Sequence, residues 1–377
     1  MRRFGVWLLL GSVLVAGCTG RVSRRDRGAP VDAASPDDAA AATDGPPGGD
    51  GGPGPTDGGP TPIDGGGGVD SGPVDPCADV VCGADERCVD GTCECVPGFV
   101  DMGAGCVAVP PGDPAGRTEA DVCAQWNAGH VENASPAWTA GATECDLGTL
   151  SPDAIDDAVR RASMFRWLVG LGPVTNDASR QVIAQQCAVL MYANGRLSHT
   201  PDASWDCYTS QGAEGAGSSN LALGSRSPGQ AIDLYMADPG TPSLGHRRWV
   251  LNDPLGRVSI GFAGNAQCLG VFDSSGTTSR PWTAYPNPGP APIESAANLW
   301  SFHSRTLSLG GADVTVERVS DGASLPVVVS HPPDGFGPDT VAWDPSGWTP
   351  ATGQRYRVTI TGVSGGPITY VVHLVTC

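Results

Sequence analysis

The chain of 377 residues contains no lysine, and no basic run follows Arg27. Its 22 basic residues, all arginine, face 40 acidic ones for a formal net charge of -18. Without clustered cations to neutralise phosphates, a nucleic-acid-binding surface is excluded. Catalytic signatures are equally scarce. No Gly-x-Ser-x-Gly nucleophile elbow turns a strand into a helix, and no His-Glu-x-x-His helix occurs, so neither a serine hydrolase nor a zincin is supported. Six histidines limit the choice of bases.

What the chain has in excess is glycine and proline, 54 and 34 residues, which cannot be spread evenly through packed elements. They concentrate in one stretch. From Gly28 to Pro76 the composition is Gly, Pro, Ala, Ser, Thr and Asp with almost no large apolar residue. Such a segment cannot bury enough surface to offset its ordering entropy and is predicted to stay disordered, with a mean reach of ~40 Å. Ahead of it, Arg2 and Arg3 precede an apolar run from Phe4 to Gly17 that ends in Val15-Ala16-Gly17-Cys18. This is a secretory h-region, too short for a comfortable membrane span and closed by small residues before a cysteine. It resembles a bacterial lipoprotein signal. The resemblance implies that residues 1–17 are removed, that Cys18 is acylated, and, with Thr19 next to it, that the protein is held at the outer membrane through this anchor alone. Residues 18–76 would then be an acidic Gly/Pro tether.

Thirteen cysteines with an export signal imply an oxidising compartment. The number is odd, and Cys18 accounts for one. Six more, Cys77, Cys82, Cys88, Cys93, Cys95 and Cys106, fall within thirty residues, around the string Cys93-Glu94-Cys95-Val96-Pro97-Gly98-Phe99. Six cysteines allow fifteen pairings. The spacings lack the paired CxxC units of a zinc ribbon, which is the weaker reading. Residues 77–106 resemble an EGF-like module, which implies the pairs Cys77–Cys88, Cys82–Cys93 and Cys95–Cys106. Only Asp75 stands where calcium-binding members of that class place acids, so no calcium is expected. For Cys123, Cys145, Cys187, Cys207, Cys268 and Cys377, sequence neighbourhood favours Cys123–Cys145, Cys187–Cys207 and Cys268–Cys377.

Residues from about 117 to 265 read as helices joined by loops. Ser151-Pro152-Asp153 has the cap, first-turn proline and acid of a helix start, and Ile155, Val159, Ala162 and Phe165 then share a face. A second helix is predicted from Asn176-Asp177 to Asn194-Gly195, and a third from Ser227-Pro228. Arg257 to Phe262 and Gln267 to Phe272 suggest an antiparallel pair, and helices followed by a small sheet suit an α+β domain. Beyond Ala284, six short apolar runs separated by Gly, Pro and Asp suggest a β-sandwich over 284–377.

Four strings occur in order: Leu197-Ser198-His199-Thr200, Ser219-Asn220-Leu221-Ala222-Leu223-Gly224, Ala231-Ile232-Asp233-Leu234-Tyr235-Met236 and Leu244-Gly245-His246-Arg247-Arg248-Trp249. Their order and spacing resemble bacterial CAP (SCP-like) proteins. The resemblance implies an α-β-α sandwich over 117–283, followed by an Ig-like tail. It also implies a cleft lined by two histidines and two acids. His199 and His246 match the histidines and Asp238 matches the second acid. Ser219 stands where the family has its first acid, and Glu214 is the nearest carboxylate upstream. Two neutral imidazoles suit Zn²⁺, and a nearby carboxylate can orient a ring or act as a base. His130, His303, His331 and His373 read as structural or solvent-facing. The expected function is binding of an extracellular lipid, glycan or protein by a monomer, with metal-assisted hydrolysis of peptide or cell-wall material as the alternative.

Overall fold

The computed structural model describes residues 40–41, 76–83, 86–89, 91–95, 99–101, 106–108 and 112–377. The signal segment 1–17 and Cys18 lie outside the described residues, as does the tether apart from Ala40–Ala41 and Pro76. Ala40–Ala41 pairs in parallel beside Ala222 and Leu223. In the small cysteine module, Glu86–Val89 and Thr92–Cys95 form a hairpin, and Phe99–Asp101 pairs with Cys106–Ala108. The bridges Cys77–Cys88 and Cys82–Cys93 are those the resemblance implied. The side chains of Cys95 and Cys106 lie outside the described ones.

Six α-helices follow: α1 (Glu119–Gly129), α2 (Pro152–Leu168), α3 (Gln181–Asn194), α4 (Ser210–Gly217), α5 (Pro228–Ala237) and α6 (Gly245–Val250). Two of the three helix starts read in the sequence are those of the structure. Ser151 caps α2 by accepting from the Ala154 N–H, and Ser227 caps α5 through Gln230. The start read at Asn176-Asp177 is a 3-10 turn, Ala178–Arg180, and α3 proper begins at Gln181 and stops at left-handed Gly195. In α2, Ala162 and Phe165 are buried in the core while Ile155 and Val159 pack on its margin.

Three strands, β1 (Ser219–Leu223), β2 (Arg257–Ala263) and β3 (Ala266–Gly270), form the sheet between the helices in the order β1-β3-β2, with Ala40–Ala41 and Thr175–Asn176 at its two edges. Residues alternate between its faces. Ala222 and Leu269 join the core built by α2 and α5, whereas their neighbours Leu221 and Cys268 join the core built by α3 and α4. Helix α3 lies so close on β2 that a Cβ on Gly261 would stand 1.9 Å from the Ala184 carbonyl oxygen, so only glycine fits there.

Residues 283–377 form two sheets around a shared core of Trp300, Phe302, Trp343, Tyr356, Val358 and Val372, among others. One sheet runs β4 (Thr283–Tyr285), β6 (Trp300–Ser304), β10 (Asp339–Pro345), β9 (Val327–Ser330). The other runs β5 (Gly289–Pro292), β12 (Ile368–Val375), β11 (Arg355–Thr361), β7 (Asp313–Arg318), β8 (Ala323–Leu325). All six strands read in the sequence are present. β5 was not legible, because Gly-Pro-Ala-Pro carries two prolines; they are tolerated since β5 is an edge strand.

Three expected disulfides are corrected. The bonds are Cys123–Cys377, Cys145–Cys207 and Cys187–Cys268, separated by 254, 62 and 81 positions. Proximity along the chain was the wrong guide: α3 lies on the sheet, which brings Cys187 onto Cys268, both fully buried. Cys377 does tie the terminus back, but to α1.

Candidate functional site

Helix α5 ends at Asp238, which takes the left-handed conformation (φ 50°) and donates its N–H to the Leu234 carbonyl at 2.8 Å. An aspartate tolerates that conformation better than most side chains. The reversal brings α6 back across α5. Asp238 Oδ1 then accepts from His246 Nδ1 at 2.7 Å, and Oδ2 receives the Arg247 N–H at 3.3 Å. Both side chains are buried, 0% and 3% exposed. Since Nδ1–H donates to the carboxylate, the lone pair is on His246 Nε2, and that buried nitrogen has no partner among the described residues.

His246 is held from two further directions. Tyr235 stacks on its ring with centroids 5.4 Å apart, and the Tyr235 hydroxyl donates to the Asn220 carbonyl at 3.1 Å. Burial pushes the Tyr235 phenol well above its ordinary value, so it remains a neutral donor. Asn220 Nδ2 in turn donates to the His246 carbonyl at 2.9 Å. Neither Tyr235 nor Asn220 was singled out from the sequence as a site residue, although both lie in the motif strings.

His199 donates from Nδ1 to the Ala216 carbonyl at 2.8 Å, which likewise leaves its lone pair on Nε2. Ala216 precedes Ser219 by three positions and Asn220 follows it by one. The His199 imidazole and the His246 backbone carbonyl are thus tied to one short stretch, Ala216–Asn220, running from the end of α4 into β1. Ser219 is buried there, opposite Gly270 in the sheet. Glu214, the nearest carboxylate upstream of Ser219, is half exposed, and its carboxylate is held by Arg180 at 2.8 Å. Among the described residues no three His, Cys, Asp or Glu side chains come together as a metal-holding group.

The remaining histidines have other settings. His303 is buried between the Ser301 and Thr340 hydroxyls, both at 2.9 Å, and burial, then Arg247 and Arg248, push its imidazole well below the ordinary range. His331 meets the Ala312 carbonyl at 2.8 Å, and His130 meets that of Trp126 at 2.7 Å. The string Gly362-Val363-Ser364-Gly365-Gly366 has the spacing of a nucleophile elbow but is only the turn between β11 and β12, with no helix after it.

Residues 163–272 match the CAP family, the cysteine-rich secretory protein family. No curated protein and no solved structure matches the chain. The CAP domain contains His199, Asp238 and His246, and the disulfides around it suit an extracellular protein. Among the described residues no helix is long and apolar enough to cross a membrane.

The two arginines after His246 hold carbonyls of Met236 and Ser243 and also reach beyond residues 163–272. Arg247 is fully buried and reaches the Leu299 carbonyl at 2.6 Å and Ser301 Oγ at 3.0 Å. Arg248 donates to the carbonyls of Pro333 at 2.6 Å and Pro338 at 2.9 Å. Buried guanidinium groups are tolerated because backbone oxygens receive their donors. The helix that positions His246 is therefore fastened to the C-terminal sheets.

Proposed function

We propose that the protein is an extracellular CAP-superfamily binding module, whose cleft joins His246 and His199 and presents the Nε2 atom of His246 to a ligand. One observation carries this reading: a fully buried imidazole, oriented by Asp238, keeps its second nitrogen without a partner. A buried polar atom left unpaired costs about 1–3 kcal/mol, and a ligand or metal that met it would recover that cost. Zn²⁺ fits the donor chemistry, because a carboxylate behind Nδ1 fixes the tautomer and raises the basicity of Nε2. His246 and His199 would hold it, and when bound it supplies a Lewis-acidic point to which a ligand oxygen or nitrogen can attach. Asp238 orients the first imidazole and Tyr235 stacks on its ring.

The finer reading includes the anchor and the tether. The Arg2-Arg3 start, the apolar run and Val15-Ala16-Gly17-Cys18 support acylation at Cys18 and display at the outer membrane, with the EGF-like module as a spacer. The unpaired nitrogen of the Asp238–His246 pair also favours a second reading, hydrolysis with His246 as base. It is the weaker one, because no motif of the sequence supplies a nucleophile for it.

Zinc calorimetry on wild type, His199→Ala and His246→Ala tests the site, and turnover on peptide and cell-wall substrates separates the two readings. The binding module takes up zinc, loses most of that affinity in either variant and turns over nothing. Equal uptake in wild type and the double variant refutes a shared site.

A further inference from the structure

A concave site lies at the edge of the C-terminal sheets. It has a volume of about 660 Å³, inside the usual range for small-molecule pockets. β12 is paired with β11 along Ile368–His373, but its other neighbour, β5, begins only where Gly289 meets Val372. Over Ile368–Val371 that edge of β12 has no strand beside it among the described residues. A notch results. One end is closed by the turn Pro114–Gly116, which approaches so near that a Cβ on Gly289 would stand 2.7 Å from the Pro114 carbonyl oxygen.

The lining is cationic and aromatic in a protein of net charge -18. Arg280 is fixed by the Gly112 carbonyl at 3.2 Å and lies 3.7 Å from Asp113, and its buried Nε has no partner among the described residues. Arg355 is exposed and forms no ion pair among the described residues. It is the register partner of His373, itself the partner of Pro290, so these three project from one face of the sheet. Trp282 is half-buried, propped by Phe302 at 5.2 Å and Tyr370 at 5.5 Å between ring centroids.

We propose that this notch binds a carboxylated saccharide. Guanidinium forks match carboxylates in geometry as well as charge. A propped indole offers a rigid apolar surface to the C–H face of a sugar ring. Sugar hydroxyls find the Thr369 side chain and the unpaired strand edge. Inorganic phosphate would use the arginines but leave the aromatic wall idle. An acidic peptide adding as a strand would find only four residues of open edge, too few for a stable ladder. The site is separate from the histidine cleft and does not depend on the reading given for it.

Calorimetry on the whole chain with trigalacturonate and triglucuronate, each against its methyl ester, tests the proposal. At least one acid should bind, its ester at least about tenfold more weakly, since only the carboxylate charge differs. Arg355→Ala, an exposed position, should lose about tenfold for the acid and little for the ester, while Trp282→Phe should weaken both. The proposal is overturned if neither acid binds, if ester and acid bind alike, if Arg355→Ala leaves acid affinity intact, or if an acidic heptapeptide binds more tightly than the sugars.

Discussion

Asp238 and His246 form a buried hydrogen-bonded pair at 2.7 Å, made possible because Asp238 ends one helix in a left-handed turn and His246 opens the next. Asp238→Asn preserves the turn, since asparagine tolerates the same backbone, but replaces a charge-assisted acceptor with a neutral one. Chemical denaturation should show a loss of about 1–3 kcal/mol, and zinc affinity should fall by roughly 10–100-fold. Unchanged stability together with unchanged zinc uptake would remove Asp238 from the site.

Acid should destabilise the fold in two stages. His303 and His130 have imidazoles held below the ordinary value by burial, so below about pH 6.5 the unfolded chain binds protons that the folded one refuses. Stability is therefore complete above that pH and falls as pH drops through it, by up to about 1.4 kcal/mol per unit for the fully buried His303. Asp273 acts later: burial pushes its carboxyl up, yet the bonds from Ser275, Gly256 and Arg257 outweigh this and hold it at about 2. It adds stability above its unfolded value, and that share is lost from about pH 4 downward. Denaturation midpoints of wild type and His303→Gln between pH 7 and 4 check the first stage; the variant should show a flatter profile.

The Cys123–Cys377 bridge closes nearly the whole described chain. In the chain-entropy model such a loop contributes roughly 5 kcal/mol. Non-reducing peptide mapping should recover Cys123 linked to Cys377, and a Cys123→Ser/Cys377→Ser double variant should unfold at markedly lower denaturant. Recovery of Cys123 joined to Cys145 would contradict the fold at α1.

Arg248→Met should cost about 1–3 kcal/mol, because the buried carbonyls of Ser243 and Pro338 would be left without their donor. The loss should be cooperative, with tryptophan fluorescence and far-ultraviolet circular dichroism changing at one midpoint. Two separated transitions would mean that the CAP domain and the C-terminal sheets fold independently.

Gly261→Ala should be among the most damaging small substitutions, costing about 3 kcal/mol or more, since neither the Ala184 carbonyl nor the β2 backbone can move aside. Expression yield and thermal midpoint read this directly.

The sequence by itself determined the local features, because each is encoded within a few residues: the caps at Ser151 and Ser227, the stop at Gly195, the β-rich runs after Ala284 and the motif strings that hold His199 and His246, with Asp238 two positions past the third. It could not show that β5 pairs through a Gly-Pro-Ala-Pro segment, since a strand of that composition exists only by virtue of its edge position. Tertiary structure alone decided the cystine partners, because which cysteine meets Cys268 depends on which face of the sheet α3 covers. It also decided that Glu214 pairs with Arg180, that Tyr235 and Asn220 hold His246, and that Arg247 and Arg248 reach into the C-terminal sheets. Those contacts join residues tens of positions apart, and a linear pattern carries the type of a side chain but not the direction in which the packed fold turns it.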